Sequence, residues 1–306
     1  MEELAEAGLD LDGSAPWHDL AVDELDYALR PPVHERRVPS VGALVDPAAP
    51  PDDWAAGTGL MIERRPVGER SSASARRYAD GMSSWLVRRV DGDDEWAIFD
   101  RPAGSERDLV VLAEAFGATA VQRHPSGVVR VVHDDAVLRW DGRWWHREPL
   151  VRTWIDTVGA CSGGGDPDVL RRLAEFAVHD LGARGIGATL VYESGTSVQA
   201  TFEERLPMPP PLDVHQPFDL APLRHVLAQI DGATVFDSAG VLRLIGVRLV
   251  PSAEAEAGVD GHRGMRHTAG RRYSFDDPTA TVIVVSEDGP VTIYRAGEVL
   301  GSSAPT

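Results

Sequence analysis

The sequence contains no lysine and no asparagine, and all 30 of its basic residues are arginine. A phosphate-binding loop of the Walker type needs a lysine that reaches the β- and γ-phosphates, and a pyridoxal enzyme needs one for its Schiff base. A protein kinase of the ordinary type also needs a strand lysine. The absence of lysine therefore excludes all three classes.

Cysteine and positive charge are also scarce. The single cysteine, Cys161, cannot form an intramolecular disulfide or a thiolate metal cluster. A net charge of −18 argues against broad nucleic-acid binding, although a local arginine-lined pocket can still hold a small phosphate ligand. No apolar run is long enough to span a membrane, and the acidic start at Met1–Glu6 lacks the features of a secretory signal. We therefore expect a cytoplasmic protein that does not bind a membrane.

The first half of the chain has the pattern of a small α+β domain. Helices are predicted at 19–30 and 106–116, and strands at 85–87, 96–99 and 128–132. The pair Asp141-Gly142 between apolar stretches predicts a two-residue hairpin turn. The small polar residues at 68–77 predict a mobile segment. We assign this domain to residues 1–158 and a glycine-rich linker to 159–165.

The second half alternates helices with short apolar strands. A helix is predicted to begin at the N-cap Asp166, with Pro167 in its first turn, and to stop at Gly182. A further helix is predicted at 220–229, and strands at 186–192, 231–236, 241–249, 281–285 and 291–294. This pattern is typical of an α/β domain, a mixed β-sheet flanked by helices, which we assign to residues 166–306.

Three short polar motifs follow one another in the second half. Asp231-Gly232-Ala233 puts a carboxylate and a glycine at a strand start, although such pairs also mark ordinary turns. The segment 264–272, Gly-Met-Arg-His-Thr-Ala-Gly-Arg-Arg, is either a solvated basic loop or a site for a polyphosphate, because guanidinium groups fork onto phosphate oxygens. The run at 286–288, Ser-Glu-Asp, is either a polar hairpin tip or a functional strand end.

Together, in this order, the three motifs resemble those of the diadenylate cyclase (DAC) family, which includes the DNA-integrity scanning protein DisA and membrane-anchored cyclases. That family has Asp-Gly-Ala on a strand, a Gly-x-Arg-His-Arg-Ala loop and a Ser-Glu-Glu strand end. This chain matches the first motif fully, the second except at Thr268, and the third with one conservative change at Asp288. The resemblance extends from Asp166 to Gly301, and the first 160 residues look like the sensor-type domain that accompanies such cyclases.

The resemblance implies a metal-dependent condensation of two ATP molecules into cyclic di-AMP and two pyrophosphates, across two domains that face each other. It therefore implies a homo-oligomer, at least a dimer, and Mn²⁺ or Mg²⁺ as cofactor. By analogy the catalytic residues are Asp231, Gly232, Ala233, Arg266 and His267. The ATP-binding residues are Leu249, Gly264, Arg266, Thr268, Ser286 and Glu287. The metal ligands are Asp231 and His267.

Two alternatives remain open from the sequence. Thr268 replaces a motif arginine, so the domain could be a degenerate one that senses an adenine nucleotide without cyclising it, unless Arg263, Arg271 or Arg272 restores the lost charge. The other alternative is an interaction module, built on an aromatic platform in the N-terminal hairpin that consists of Trp140, Trp144, Trp145 and His146. Alternate tryptophans on strands are more often part of cross-strand packing.

Overall fold

A computed structural model describes residues 15–33, 38–69, 71–133, 136–140, 142–148, 151–159, 165–195, 201–203, 206–261, 264–287 and 290–303. The chain divides into two compact units, Met1–Pro149 and Leu150–Thr306. Most of the predicted linker, including Cys161, lies outside the described residues. Helix Val151–Gly159 belongs to the second unit. No helix in the described ranges is long and apolar enough to cross a bilayer.

The described strands of the first unit form an eight-stranded sheet in the order β2-β4-β3-β1-β5-β6-β7-β8. Strands β1 and β3 are parallel, and the other neighbours are antiparallel. The elements are α1 His18–Leu29, β1 Val41–Val45, α2 Pro51–Thr58, β2 Ile62–Pro66, α3 Ser72–Ala75, β3 Ser84–Arg88, β4 Glu95–Phe99, α4 Glu106–Phe116, β5 Thr119–Arg123, β6 Val129–His133, β7 Ala136–Trp140 and β8 Trp145–Glu148.

The predicted helices of this unit are confirmed, and their ends have clear chemical causes. Helix α4 begins with a capping box between Ser105 and Asp108 and ends at Gly117, whose φ of 58° is left-handed. Helices α2 and α4 pack on one face of the sheet, and α1 packs on the other. The fold class of the first unit is therefore the mixed α and β structure that the sequence predicts.

The polar segment at 68–77 differs from its prediction as a mobile loop. It contains helix α3, and Arg76 just beyond it is only 7% exposed. The Arg76 guanidinium donates two hydrogen bonds of 2.9 Å to Glu24, which is 1% exposed and also contacts Arg88. A buried carboxylate needs such partners, and these connect positions far apart in sequence, which a local pattern does not reveal.

The predicted two-residue hairpin turn is also wrong. Asp141 lies outside the described residues, but Trp140 pairs with Trp145, so the connection between the strands covers 141–144. The rings of Trp140 and Trp145 lie 5.6 Å apart and pack against the core, whereas Trp144 is 61% exposed. Cross-strand packing therefore accounts for two of the platform tryptophans.

The described strands of the second unit form a seven-stranded sheet in the order β10-β12-β11-β9-β13-β14-β15. Only the central pair β9 and β11 is parallel among these strands. The elements are α5 Val151–Gly159, α6 Pro167–Glu175, β9 Ala188–Glu193, β10 Thr201–Glu203, α7 Pro217–Leu227, β11 Ala233–Phe236, β12 Leu242–Val250, α8 Ala253–Gly258, α9 Met265–Asp276, β13 Ala280–Val285, β14 Val291–Arg295 and β15 Glu298–Ser302.

Alternating side chains of this sheet supply two cores. Leu190 and Ile283 face the helices α5, α6 and α7, whereas Val191 and Val282 face α9. Both faces are therefore covered by helices, as the α/β prediction requires. Helix α9 approaches the sheet closely because Gly270 has no side chain there: a Cβ would lie 2.9 Å from Val284.

Helix α6 begins as predicted and ends later. The Asp166 side chain accepts a hydrogen bond of 2.8 Å from the amide of Asp168, and Pro167 is the first helical residue. The predicted stop at Gly182 is wrong, because Gly182 keeps a helical φ of −57°. The helix continues through a π turn and a 3-10 turn to Gly185, whose φ of 66° ends it.

Candidate functional site

A pocket of about 350 Å³ lies at one end of the second sheet. Its walls come from residues 185–187 before β9, residues 227–231 between α7 and β11, Arg266 on α9, and Glu287 after β13. The volume falls in the range of small-molecule sites. Three of the motif side chains, Asp231, Arg266 and Glu287, thus line one cleft.

Asp231 is held at the pocket by the glycine that follows it. Gly232 has a φ of 104°, and a Cβ there would lie 2.8 Å from the carbonyl carbon of Gly246. The close approach of β12 therefore requires a glycine at this position. Ala233 is buried and begins β11, so that the Asp231 side chain, which is 92% exposed, stands just before the strand.

Arg266 joins the two acids of the pocket. Its Nη1 lies 2.9 Å from Oε1 of Glu287, and its Nη2 lies 3.5 Å from Oδ1 of Asp231. The Arg266 side chain is 37% exposed and the Glu287 side chain 73% exposed. These are open ion pairs, whose net contribution to stability is about 0–1 kcal/mol each. The guanidinium can therefore exchange its carboxylates for another anion at little cost.

Two glycines form the floor under this ion pair. A Cβ at Gly187 would lie 2.4 Å from Nη1 of Arg266 and 2.7 Å from Cγ of Glu287. A Cβ at Gly185 would lie 2.9 Å from the carbonyl oxygen of Glu287. The sequence analysis missed this Gly185-Ile186-Gly187 segment, assigning 186–192 to a strand, although β9 begins only at Ala188. Two glycines one residue apart just before a buried strand were the available signal.

Residues 227–230 were missed as well. Ile230 lines the pocket beside Gln229, and both follow the last turn of α7. The sequence predicts the helix to continue through Gln229, whereas it ends at Leu227. No local pattern separates these residues from a helix end, so the pocket wall becomes visible only in the structure.

His267 lies behind Arg266 and joins the second and third motifs. The imidazole is 8% exposed. Its Nε2 lies 2.8 Å from Oγ of Ser286, and its Nδ1 lies 2.8 Å from the hydroxyl of Tyr294. Tyr294 is fully buried on β14, and the sequence analysis did not select it. Each motif therefore contributes to one connected group of side chains.

The second motif is the first turn of helix α9, not the loop that the sequence predicts. Gly264 is the N-cap with a φ of 85°, which a side chain would disfavour. Thr268 lies four residues further on, and its hydroxyl donates a hydrogen bond of 3.0 Å to the Gly264 carbonyl. Thr268 therefore stands where the family motif has its second arginine, and its hydroxyl forms a hydrogen bond within its own helix.

The arginines proposed to replace the missing charge lie elsewhere. Nε of Arg271 donates to the carbonyl of Gly297 at 2.7 Å, and Nε of Arg272 donates to the carbonyl of Val259 at 3.3 Å. Neither arginine lines the pocket. Arg263 lies outside the described residues, as does Asp288 of the third motif.

Of the expected ATP contacts, Leu249 lies in the core, and Gly264, Thr268 and Ser286 are likewise not among the residues that line the pocket. Leu249 is 8% exposed on β12 and packs in the core with Ala233 and Tyr273. It does not line the pocket. Apolar pocket walls are instead supplied by Ile186, Leu227 and Ile230.

The donor set fits a hard divalent cation only in part. Asp231 offers an exposed carboxylate, the ligand type that Mg²⁺ and Mn²⁺ prefer. His267 would have to break its hydrogen bond to Ser286 before Nε2 could bind a metal. Within the described residues no group of three or more His, Cys, Asp or Glu side chains could hold an ion. A cation at Asp231 would therefore need most of its ligands from a phosphate group and water, as is common for Mg²⁺.

Comparisons with known proteins divide the chain in the same way. Residues 1–148 match the family described as probable sensor domain DACNK, and residues 175–299 match the family of the DisA bacterial checkpoint controller nucleotide-binding domain, DAC. No curated protein matches the chain.

Among solved structures, a hypothetical membrane-spanning protein from Bacillus cereus is 17% identical. The match covers 50% of this chain and 78% of that one, with a TM-score of 0.32, which is too low to support an argument. The two family matches confirm the layout expected from the motifs. The chain thus carries a match to the probable sensor domain DACNK, followed by a match to the DAC nucleotide-binding domain of DisA.

Proposed function

We propose that the second unit binds ATP in this pocket and, paired with a second copy, condenses two ATP molecules into cyclic di-AMP and two pyrophosphates. The observation that carries the proposal is the convergence of Asp231, Arg266 and Glu287 on one cleft, with His267 and Ser286 directly behind them. The membership of residues 175–299 in the nucleotide-binding family supports the same substrate class.

The residue types suit nucleotidyl transfer, which depends mainly on positioning and on stabilising negative charge. Arg266 supplies the guanidinium for a phosphate. A charge-assisted hydrogen bond contributes about 1.5–3 kcal/mol, more than the exposed ion pairs that Arg266 makes with Asp231 and Glu287. A bound triphosphate would therefore replace Glu287 and Asp231 as the partner of the Arg266 guanidinium.

Asp231 acts at the 3′-hydroxyl in this proposal. Its side chain is 92% exposed, so it can reach a nucleotide held by a second copy of the chain. A cation bound there would lower the pKa of the attacking hydroxyl. Asp231 would hold that cation, and Ser286 and Glu287 would orient the triphosphate.

In this proposal each pocket holds one nucleotide and the product joins two, so a second copy of the domain is needed. Each 3′-hydroxyl attacks the α-phosphate of the other ATP, forming a P–O bond and breaking the bond to the leaving pyrophosphate. Two such steps close the ring. The proposed enzyme is therefore a homo-oligomer, at least a dimer, and a separated monomer is inactive.

Incubation of the purified chain with ATP and either Mn²⁺ or Mg²⁺, followed by mass spectrometry, tests the proposal. We expect cyclic di-AMP from the wild type and none from Asp231→Asn. Asp156→Asn on α5 is a matched control, because this acid is exposed and lies outside the pocket. ATP binding without product in both metals would contradict a cyclase and support a nucleotide sensor, and absence of ATP binding would refute both.

A further inference from the structure

A line of buried hydrogen bonds runs from strand β14 to the pocket edge. The hydroxyl of Tyr294 lies 2.8 Å from Nδ1 of His267, and Nε2 of His267 lies 2.8 Å from Oγ of Ser286. Tyr294 is fully buried and His267 is 8% exposed, whereas Ser286 is half-buried beside Glu287 of the pocket. The imidazole thus connects a buried phenol to a serine at the site.

The chemistry of these groups gives the line a direction. An imidazole nitrogen is a stronger acceptor than a phenol oxygen, and a phenol is a good donor. A phenol that donates to Nδ1 of a neutral imidazole leaves the ring proton on Nε2.

This tautomer decides what Ser286 can offer. An Nε2–H group donates to Oγ of Ser286, so the serine accepts from the imidazole and has its own O–H to donate. Phosphate oxygens are acceptors and need donors. The opposite tautomer would direct the serine proton into the imidazole instead of into the site.

We infer that Tyr294 is a positioning residue that holds His267 as the Nε2–H tautomer and thereby presents the Ser286 hydroxyl as a donor to a phosphate of the bound nucleotide. The phosphate contact rests on the proposed function. The tautomer of His267 does not rest on the proposed function, because all the hydrogen-bonding groups that determine it belong to this chain.

The tautomer is measured by NMR on the full chain labelled with ¹⁵N-histidine, above the pKa of a free histidine. The His267 signals are assigned by their loss in His267→Gln. We expect a protonated Nε2 and an unprotonated Nδ1 in the wild type. Tyr294→Phe keeps the ring but removes the donor, so both nitrogen signals should move toward a mixture of tautomers. A protonated Nδ1 in the wild type would overturn the inference.

Equilibrium dialysis with ATP and Mg²⁺ tests the contact through Ser286. We expect Tyr294→Phe to weaken ATP binding about 2- to 10-fold, the effect of one neutral hydrogen bond. If the tyrosine acts through the serine, the same change in a Ser286→Ala background should have almost no further effect. Fully additive losses would contradict the inference.

Tyr192→Phe is the matched control, because Tyr192 is also a buried tyrosine of this sheet, with its hydroxyl bonded to the amide of Asp166. This control should leave both the His267 signals and ATP binding unchanged. Equal losses in the two tyrosine variants would show a general packing defect and overturn the positioning role. A wild-type chain that binds no ATP would refute the proposed function, while the tautomer measurement would still decide the role of Tyr294.

Discussion

Replacing Gly187 with alanine would place a methyl group where the Arg266 and Glu287 side chains lie. The added Cβ would be 2.4 Å from Nη1 of Arg266 and 2.7 Å from Cγ of Glu287, both closer than atoms can approach. Gly187 has no positive φ, so its backbone accepts alanine without strain. The clash can therefore be relieved only by moving the two pocket side chains.

The displacement should reduce the affinity for ATP more than it reduces the stability of the fold. Both side chains are long and partly exposed, and their ion pair contributes about 0–1 kcal/mol to stability. Losing the contact of Arg266 with a phosphate removes about 1.5–3 kcal/mol of binding free energy. Since 1.4 kcal/mol is a factor of ten, ATP should bind roughly 10- to 150-fold more weakly to Gly187→Ala.

Isothermal titration of ATP with Mg²⁺ measures the affinity, and thermal unfolding measures stability in the same samples. Gly195→Ala is the control, because no atom of the described residues lies within 4 Å of a Cβ at that position. The control should match the wild type in both measurements. Unchanged ATP affinity in Gly187→Ala would refute the assignment of Arg266 to the nucleotide. A large loss of stability would refute the view that the Arg266 and Glu287 side chains can move to relieve the clash.

Three further predictions concern single positions. Thr268→Arg should tighten ATP binding about tenfold by restoring a guanidinium, and an unchanged dissociation constant would contradict the view that the threonine weakens binding. Gly270→Ala should lower the free energy of unfolding by about 1 kcal/mol in urea denaturation, because overpacking against Val284 outweighs the gain in helix propensity. Burial, and then the nearby Asp277 carboxylate, raise the pKa of Glu193 above its usual 4.5. The stability that Glu193 contributes is therefore present below pH 4.5 and lost as the pH rises through its folded-state pKa. In Glu193→Gln the free energy of unfolding should decrease less across that pH range.

The sequence predicts the elements whose signals are local. The N-cap at Asp166 and helix α4 follow from residues next to each other in the chain. The site motifs are similar, since Asp231 and Ser286 stand next to strand ends that a short apolar run already reveals. Strand ends at one edge of a sheet bring such residues together without any knowledge of the loops.

Other features depend on contacts between distant residues. The sequence predicts a loop at the start of helix α9 because the helix has no apolar stripe: besides Tyr273, its buried face carries His267, Gly270 and Ser274. His267 becomes a suitable core residue only when the hydroxyl of Tyr294, on another strand, satisfies it. The burial of Arg76 depends in the same way on Glu24.

The ion pairs of the pocket also bear on which form of a nucleotide would bind under the proposed function. Two carboxylates, Asp231 and Glu287, against the one guanidinium of Arg266 leave a net negative charge at the entrance, on a chain whose own net charge is −18. An uncomplexed triphosphate would meet repulsion there, whereas one that arrives with its divalent counter-ion would not. If the proposed function holds, the concentration that matters is therefore that of the cation-complexed nucleotide, and free ATP should bind more weakly.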